Sequence, residues 1–408
     1  MNPGDTAWIL VCTALVLLMT PGLAFFYGGL VRQRQTINTI KMSFIALGVI
    51  ALEWALVGYS MAFSEGSRLL GGLAWVGLSG VGVEPSADYA TTVPHLAFMA
   101  FQMMFAVITP ALISGAVVGR MRFLPYTIFI VCWAVLVYNP LAHWVWGGGW
   151  LGELGALDFA GGTVVHVSAG VSALVAALVL GPRRRRAHAA PHNVPFTVLG
   201  ASLLWFGWFG FNAGSALAAD GVAALALVTT MLSAAASVAT WIAVDVARRR
   251  KPTAVGASVA AVVGLVAITP GAGFVAPGAA IAIGIVATVV SYVAVDLLKR
   301  TRLDDTLDVF ACHGLGGIVG ALLTGVFAST AVNPAGADGL LHGNAALLGK
   351  QAIGVLAGAA LAAAGTAVIL LGLRAVMRLR PSPLEEDRGI DLAEHAESAY
   401  HPDPAAAR

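Results

Sequence analysis

The chain of 408 residues is 58% hydrophobic and only 11% charged, with a net charge of +2, far from the soluble balance of about 25% charged residues. Its mean hydropathy of +0.84 points the same way. These figures exclude a soluble globular domain and place the chain in a lipid bilayer.

Apolar runs able to cross about 30 Å of hydrocarbon recur at roughly 6–29, 42–63, 95–118, 123–142, 162–180, 196–217, 223–246, 253–270, 277–298, 309–330 and 346–373. A spanning segment must satisfy its own backbone hydrogen bonds, so the expected fold is an all-α polytopic membrane protein of eleven transmembrane helices. Asp5 precedes the first span, and neither a basic residue nor a small-residue cleavage site accompanies it. That run is read as a retained helix and not as a signal peptide.

Basic residues follow the odd-numbered spans: Arg32, Arg34 and Lys41, then Arg120 and Arg122, Arg183 to Arg186, Arg248 to Lys251, Lys299 to Arg302, and a last group from Arg374 to Arg408. All but Arg68 and Lys350 of the 23 Lys and Arg residues thereby fall on one side. The asymmetry sets the N-terminus outside and the C-terminus in the cytoplasm of a cell-membrane protein. Arg183–Arg186 reads as a solvated topogenic loop, with no nucleic-acid partner.

The 48 glycines cluster in the spans, as tight helix packing in lipid requires, while Trp146–Gly149 reads as a re-entrant or surface turn. Cys12, Cys132 and Cys312 have neither zinc nor disulfide spacing. No nucleophile–base pair or metal-ligand set is apparent, so neither an enzyme nor a bound metal or cofactor is expected.

His166 and His313 stand inside apolar spans, where an imidazole needs a polar partner or a polar cavity. Each opens a His-x-x-x-Gly, ending at Gly170 and Gly317. An interval of five spans would invert a repeat of spans 1–5 by 6–10, which places a site near the midplane. On its own, chance also supplies such a match. Asp158, eight residues before His166, reads as a helix cap with an indirect electrostatic contribution, and Asp304, Asp305 and Asp308 read as caps of the tenth span.

Four local strings resemble blocks of the ammonium transporter (Amt/Mep/Rh) family, on its Amt branch. They are Pro21–Arg32, Asp158-Phe-Ala-Gly-Gly-Thr-Val-Val-His166, Trp208–Ser215 and Asp304–Gly314, in order along the chain. The resemblance implies ammonium/ammonia transport, with Phe105, Trp146 and Ser215 recruiting the cation at an outer vestibule beside Gln102. It also implies that Phe105 and Phe211 close the pore and that His166 and His313 line its dry part. An aromatic face attracts a cation by about 0.5–2 kcal/mol, and phenylalanine excludes water from a constriction. Without the resemblance, Trp146 reads as an interfacial belt residue and either phenylalanine as core packing.

The resemblance further implies a homotrimer and a PII-type regulatory protein at the cytoplasmic face. Residues 1–380 form the expected membrane domain and residues 381–408 a cytoplasmic tail, which by composition alone is acidic and mostly disordered. Alternatives are an ammonium sensor signalling through that tail and an Rh-like neutral gas channel.

Overall fold

The computed structural model describes residues 1–184 and 190–400, so Arg185, Arg186 and Arg408 of the basic set lie outside the described residues. Among the described residues, eleven apolar helices form one bundle. They are α1 (Pro3–Leu30), α2 (Gln33–Phe63), α3 (His95–Val117), α4 (Phe123–Leu154), α5 (Gly162–Leu180), α6 (Val194–Ala216), α7 (Gly221–Ala247), α8 (Ala254–Ile268), α9 (Pro277–Leu298), α10 (Phe310–Phe327) and α11 (Ala345–Val376). All but α8 are long and apolar enough to cross a membrane.

Helix α8 has only 15 residues, about 22 Å at 1.5 Å per residue, where a span of full length was expected. Thr269 keeps helical angles at φ -50° and ψ -45°, and from it, through Pro270, the chain continues as turns. Residues 260–273 are all buried. Protein and not lipid therefore surrounds the broken end, where non-helical backbone is tolerated. The predicted turn at Trp146–Gly149 is present: α4 bends at Gly147–Gly149, with Gly148 at φ 82°.

One element goes beyond the all-helical expectation. Between α2 and α3, β1 (Pro85–Ser86) and β2 (Ala90–Pro94) form a small antiparallel hairpin. It is fastened to α1 where Asn2 N donates to Thr92 O at 2.6 Å, and to the chain before it where His95 N donates to Glu84 O at 2.9 Å.

Helices α5 and α10 start from opposite ends of the bundle, and each opens in a wide π turn that contains its histidine, Gly162–Val167 and Phe310–Gly314. Such turns are rare and concentrate at functional sites. Their recurrence in antiparallel helices five spans apart is the inverted relation expected between the halves.

The end of the bundle that carries the basic residues is held by a buried ion cluster. Arg120, fully buried, approaches Asp304 at 3.1 Å and donates to Ala116 O at 2.7 Å and Thr306 Oγ1 at 3.0 Å. Arg183 donates to both oxygens of the same carboxylate, through Nε at 2.9 Å and an Nη at 2.8 Å. Burial draws the Arg120 guanidinium down to about 10, so it stays a cation at neutral pH. Burial alone would raise Asp304, but Arg183 and Arg120 hold its carboxyl below the usual range. Asp304 is therefore an ion-pair partner and not the helix cap expected of it.

The tail is ordered through Tyr400, contrary to its composition. Short helices α12 (Pro383–Arg388) and α13 (Ile390–His395) lie on the basic end. Asp391 accepts from Ile37 N and Asn38 N at 3.1 and 2.8 Å, capping α2. Glu394 accepts from Phe123 N at 3.2 Å, capping α4, and pairs with Arg122 at 2.8 Å. Tyr400 bonds Asn193, the residue that caps α6, at 3.0 Å. Its acidic residues thus meet the positive ends of helix dipoles.

Replacing Asp304 by Asn leaves Arg120 buried without its counter-charge. Asp304→Asn is expected to destabilise the fold by about 3–5 kcal/mol, read as a lower unfolding temperature in detergent. Because the folded carboxyl titrates below its ordinary value, the wild-type advantage exists at neutral pH and disappears as pH falls through the acid range.

Candidate conduction site

His166 and His313 meet at the centre of the bundle. Their Nδ1 atoms lie 3.3 Å apart, the rings are 5.4 Å between centroids, and both side chains are buried. One ring must donate through Nδ1–H while the other accepts, which turns the second ring's proton out to Nε2. His166 also stacks on Trp208 at 5.3 Å, and its Nε2 has no protein partner. Trp208 is itself fixed by its Nε1 donating to Thr269 Oγ1 at 3.0 Å.

The glycines one turn after each histidine explain how the rings come so near. A Cβ at Gly170 would stand 2.2 Å from Gly314 of α10, and one at Gly317 would stand 3.0 Å from the His166 Cβ and 2.8 Å from Gly162 O of α5. Each His-x-x-x-Gly therefore places its glycine against the other helix at its histidine. The two repeats grip one another reciprocally.

A cavity of about 10 Å³ adjoins the pair, lined by His166, His313, Phe211, Trp208 and aliphatic residues that include Leu23 and Val262. It holds about one water-sized molecule. Phe211 stands above this slot and packs against Phe105, 4.2 Å between centroids with the planes tilted by 33°, and both rings are buried. Beyond them opens a vestibule of about 350 Å³, lined by Phe105, Trp146, Ser215, Gln102 and others. Phe105 meets Trp146 edge to face at 6.2 Å. Ser215 donates to Phe211 O at 2.8 Å, which leaves its hydroxyl lone pairs as acceptors, and Gln102 Oε1 is buried without a partner. Phe105, Trp146, Ser215, Phe211, His166 and His313 thus fall along one line through the bundle.

Asp158 lies apart from the vestibule lining. Its carboxylate accepts four backbone N–H bonds, from Gly161, Gly162, Thr163 and Val164, at 2.6–3.1 Å. It is the cap of α5, and those bonds fix the turn that presents His166. Asp305 does the same for α10 by accepting from Phe310 N at 2.7 Å. Both aspartates stand eight residues before their histidine, a longer form of the repeat that reading the His-x-x-x-Gly alone misses.

On the basic side, a cavity of about 270 Å³ is lined by Leu30, Val259, Asp305 and Asp308, among others. Leu30 and Val259 continue the same helices, α1 and α8, that supply Leu23 and Val262 to the slot. Asp308 does not cap α10; it sits in the left-handed region at φ 57°, and burial pushes its carboxyl up to about 7. Among the described residues no group of three or more metal-ligating side chains occurs.

A narrow slot between two wider spaces, inside eleven apolar helices, defines a channel-like membrane transport protein. A sequence model of the Ammonium Transporter Family matches residues 7–400. The chain is 51% identical to an ammonium transporter of Bacillus subtilis, over 98% of this chain and 99% of that protein. It is 45% identical to the ammonium transporter Amt1 of Archaeoglobus fulgidus, over 98% and 100%. Among solved structures, Candida albicans Mep2 superposes with a TM-score of 0.89 at 37% identity, covering 99% of this chain and 92% of that one. A sensor Amt protein superposes at 0.88 and 30% identity, covering 96% and 98%. The chain belongs to the ammonium transporter family, a family of transporters and not of enzymes.

Gly170→Ala puts a methyl group into backbone of α10. The expected cost is about 1–3 kcal/mol, seen as a lower unfolding temperature; a substitution that leaves stability unchanged would show that the α5–α10 contact does not set the histidine spacing.

Proposed function

We propose that the protein conducts ammonium across the cell membrane from the vestibule side to the basic side, with the basic side cytoplasmic. The observation that supports this most directly is the buried histidine pair beside a slot of one-molecule size, below two packed phenylalanines and a cation-friendly vestibule. Ammonium is recruited among Trp146, Phe105 and Ser215, where aromatic faces and a free hydroxyl acceptor suit a cation.

An intact ion in the slot would lose its hydration for several kcal/mol. The cation therefore gives up a proton at the phenylalanine gate, and ammonia crosses past His166 and His313. Nδ1–H of one ring and Nδ1 of the other offer a path for that proton, which makes transport electrogenic. Ammonia regains a proton in the hydrated cavity on the basic side. Asp158 acts by holding the π turn of α5, and so the orientation of His166.

The larger assembly follows the family resemblance: a homotrimer of membrane domains spanning residues 1–380, with the tail on its cytoplasmic side and a PII-type regulator as partner. Crosslinking in native membranes tests the trimer.

The conduction reading is tested on purified protein in proteoliposomes by recording current and uptake together under an ammonium gradient. His166→Ala is expected to lower the ammonium-driven current by about tenfold or more, equivalent to at least about 1.4 kcal/mol on the barrier. Uptake without current in the wild type removes the electrogenic step, and unaltered current and selectivity in both His166→Ala and His313→Ala remove the histidine path.

A further inference from the structure

The hairpin between α2 and α3 brings an unassigned charge to the vestibule. Its turn carries Asp88 and Tyr89, and both line the cavity that holds Phe105, Trp146 and Ser215. The remaining lining is aromatic, aliphatic or neutral, so Asp88 is the one carboxylate on the vestibule wall among the described residues. Asp158 does not substitute for it, because its oxygens are engaged by four amides of α5.

A turn residue acts as a fixed charge only if its turn is held, and here the neighbour holds it. Tyr89 donates from its hydroxyl to Phe63 O at 2.6 Å, stacks on Phe98 at 5.5 Å with planes 7° apart, and meets the Phe63 ring edge to face at 5.0 Å. Ser86 Oγ accepts from Asp88 N at 3.3 Å inside the turn. The Asp88 residue is itself exposed, so its carboxylate stays hydrated while facing the cavity.

We infer that Asp88 is a cation-collecting residue at the vestibule mouth, which raises the local concentration of ammonium ahead of the aromatic site and thereby sets the affinity of transport. The inference rests on the vestibule being the entrance. A single charge at the rim of a low-dielectric cleft focuses its field inward and attracts any small cation without binding it tightly. Its influence reaches about one Debye length, near 8 Å at physiological ionic strength, and shrinks in strong salt. This charge acts on capture and not on the dehydrated step at the gate, so it separates half-saturation from maximal current.

The test is ammonium-driven current in proteoliposomes, titrated with ammonium at low ionic strength and again at high choline chloride. Asp88→Asn is expected to raise the half-saturating ammonium concentration about two- to fivefold at low salt, with the difference collapsing at high salt. Asp88→Glu restores the wild-type value. Glu84→Gln, which removes an equal charge just before β1 and outside the vestibule lining, is expected to have a smaller effect. Equal effects of Asp88→Asn and Glu84→Gln, or a fall in maximal current at unchanged half-saturation, overturn the inference. If Asp88→Asn is silent while Trp146→Ala raises half-saturation, the inference fails and the vestibule reading survives; if both are silent, the vestibule reading fails with it.

Discussion

Everything in this bundle is arranged around one hydrogen bond between two imidazoles far from water. Taken singly, either ring would be an unsatisfied polar group in an apolar interior, at a cost of several kcal/mol. Together, each satisfies one nitrogen of the other at 3.3 Å. The price of that arrangement falls on the backbone: α5 and α10 have to approach nearly to contact, which only glycine at 170 and 317 permits. The aspartate caps at 158 and 305 then hold the two π turns in which the rings are carried. Packing, capping and helix distortion therefore serve one distance.

The carboxylates that line the described cavities stand at the two ends. At the basic end, Arg120, Arg183 and Asp304 form a closed cluster that joins the turns before α4, α6 and α10. At the other end the cavity wall is largely aromatic, with neutral acceptors from Ser215 and Gln102 and one carboxylate, Asp88, among the described residues. The slot between them is lined by aliphatic and aromatic side chains, and its only polar groups are the two imidazoles and the Trp208 indole. In the proposed conduction, this division makes the protein attractive to a cation at its mouth and forbidding to it at its centre.

Much of this was legible in the residues. The number of helices, the inverted halves and the prominence of His166 and His313 follow from hydropathy, loop charge and the expense of a buried imidazole. Family likeness supplied Phe105, Trp146, Ser215 and Phe211, whose chemistry alone is equally that of core or belt residues. What escaped depends on contacts between distant positions. The pairing of Arg120 with Asp304 joins residues 184 positions apart, and no local pattern announces it. The length of α8 was overestimated because hydropathy cannot distinguish burial in protein from burial in lipid. The tail looked disordered because its acidic composition hides that Asp391 and Glu394 each have a helix terminus waiting for them. Asp305 was among the expected caps, but its equivalence to Asp158 becomes visible only once both are seen bonding the turn before a histidine.

That tail has a consequence for how the molecule is made. Asp391 and Glu394 complete the amino-terminal ends of α2 and α4, yet a ribosome reaches them only after every apolar helix has been synthesised. Until then the first turns of two early helices lack their final acceptors and must rely on water at the membrane surface. Closure of the basic end thus follows synthesis of all the described apolar helices, and a nascent chain stalled before residue 391 carries those helices with the ends of α2 and α4 not yet sealed.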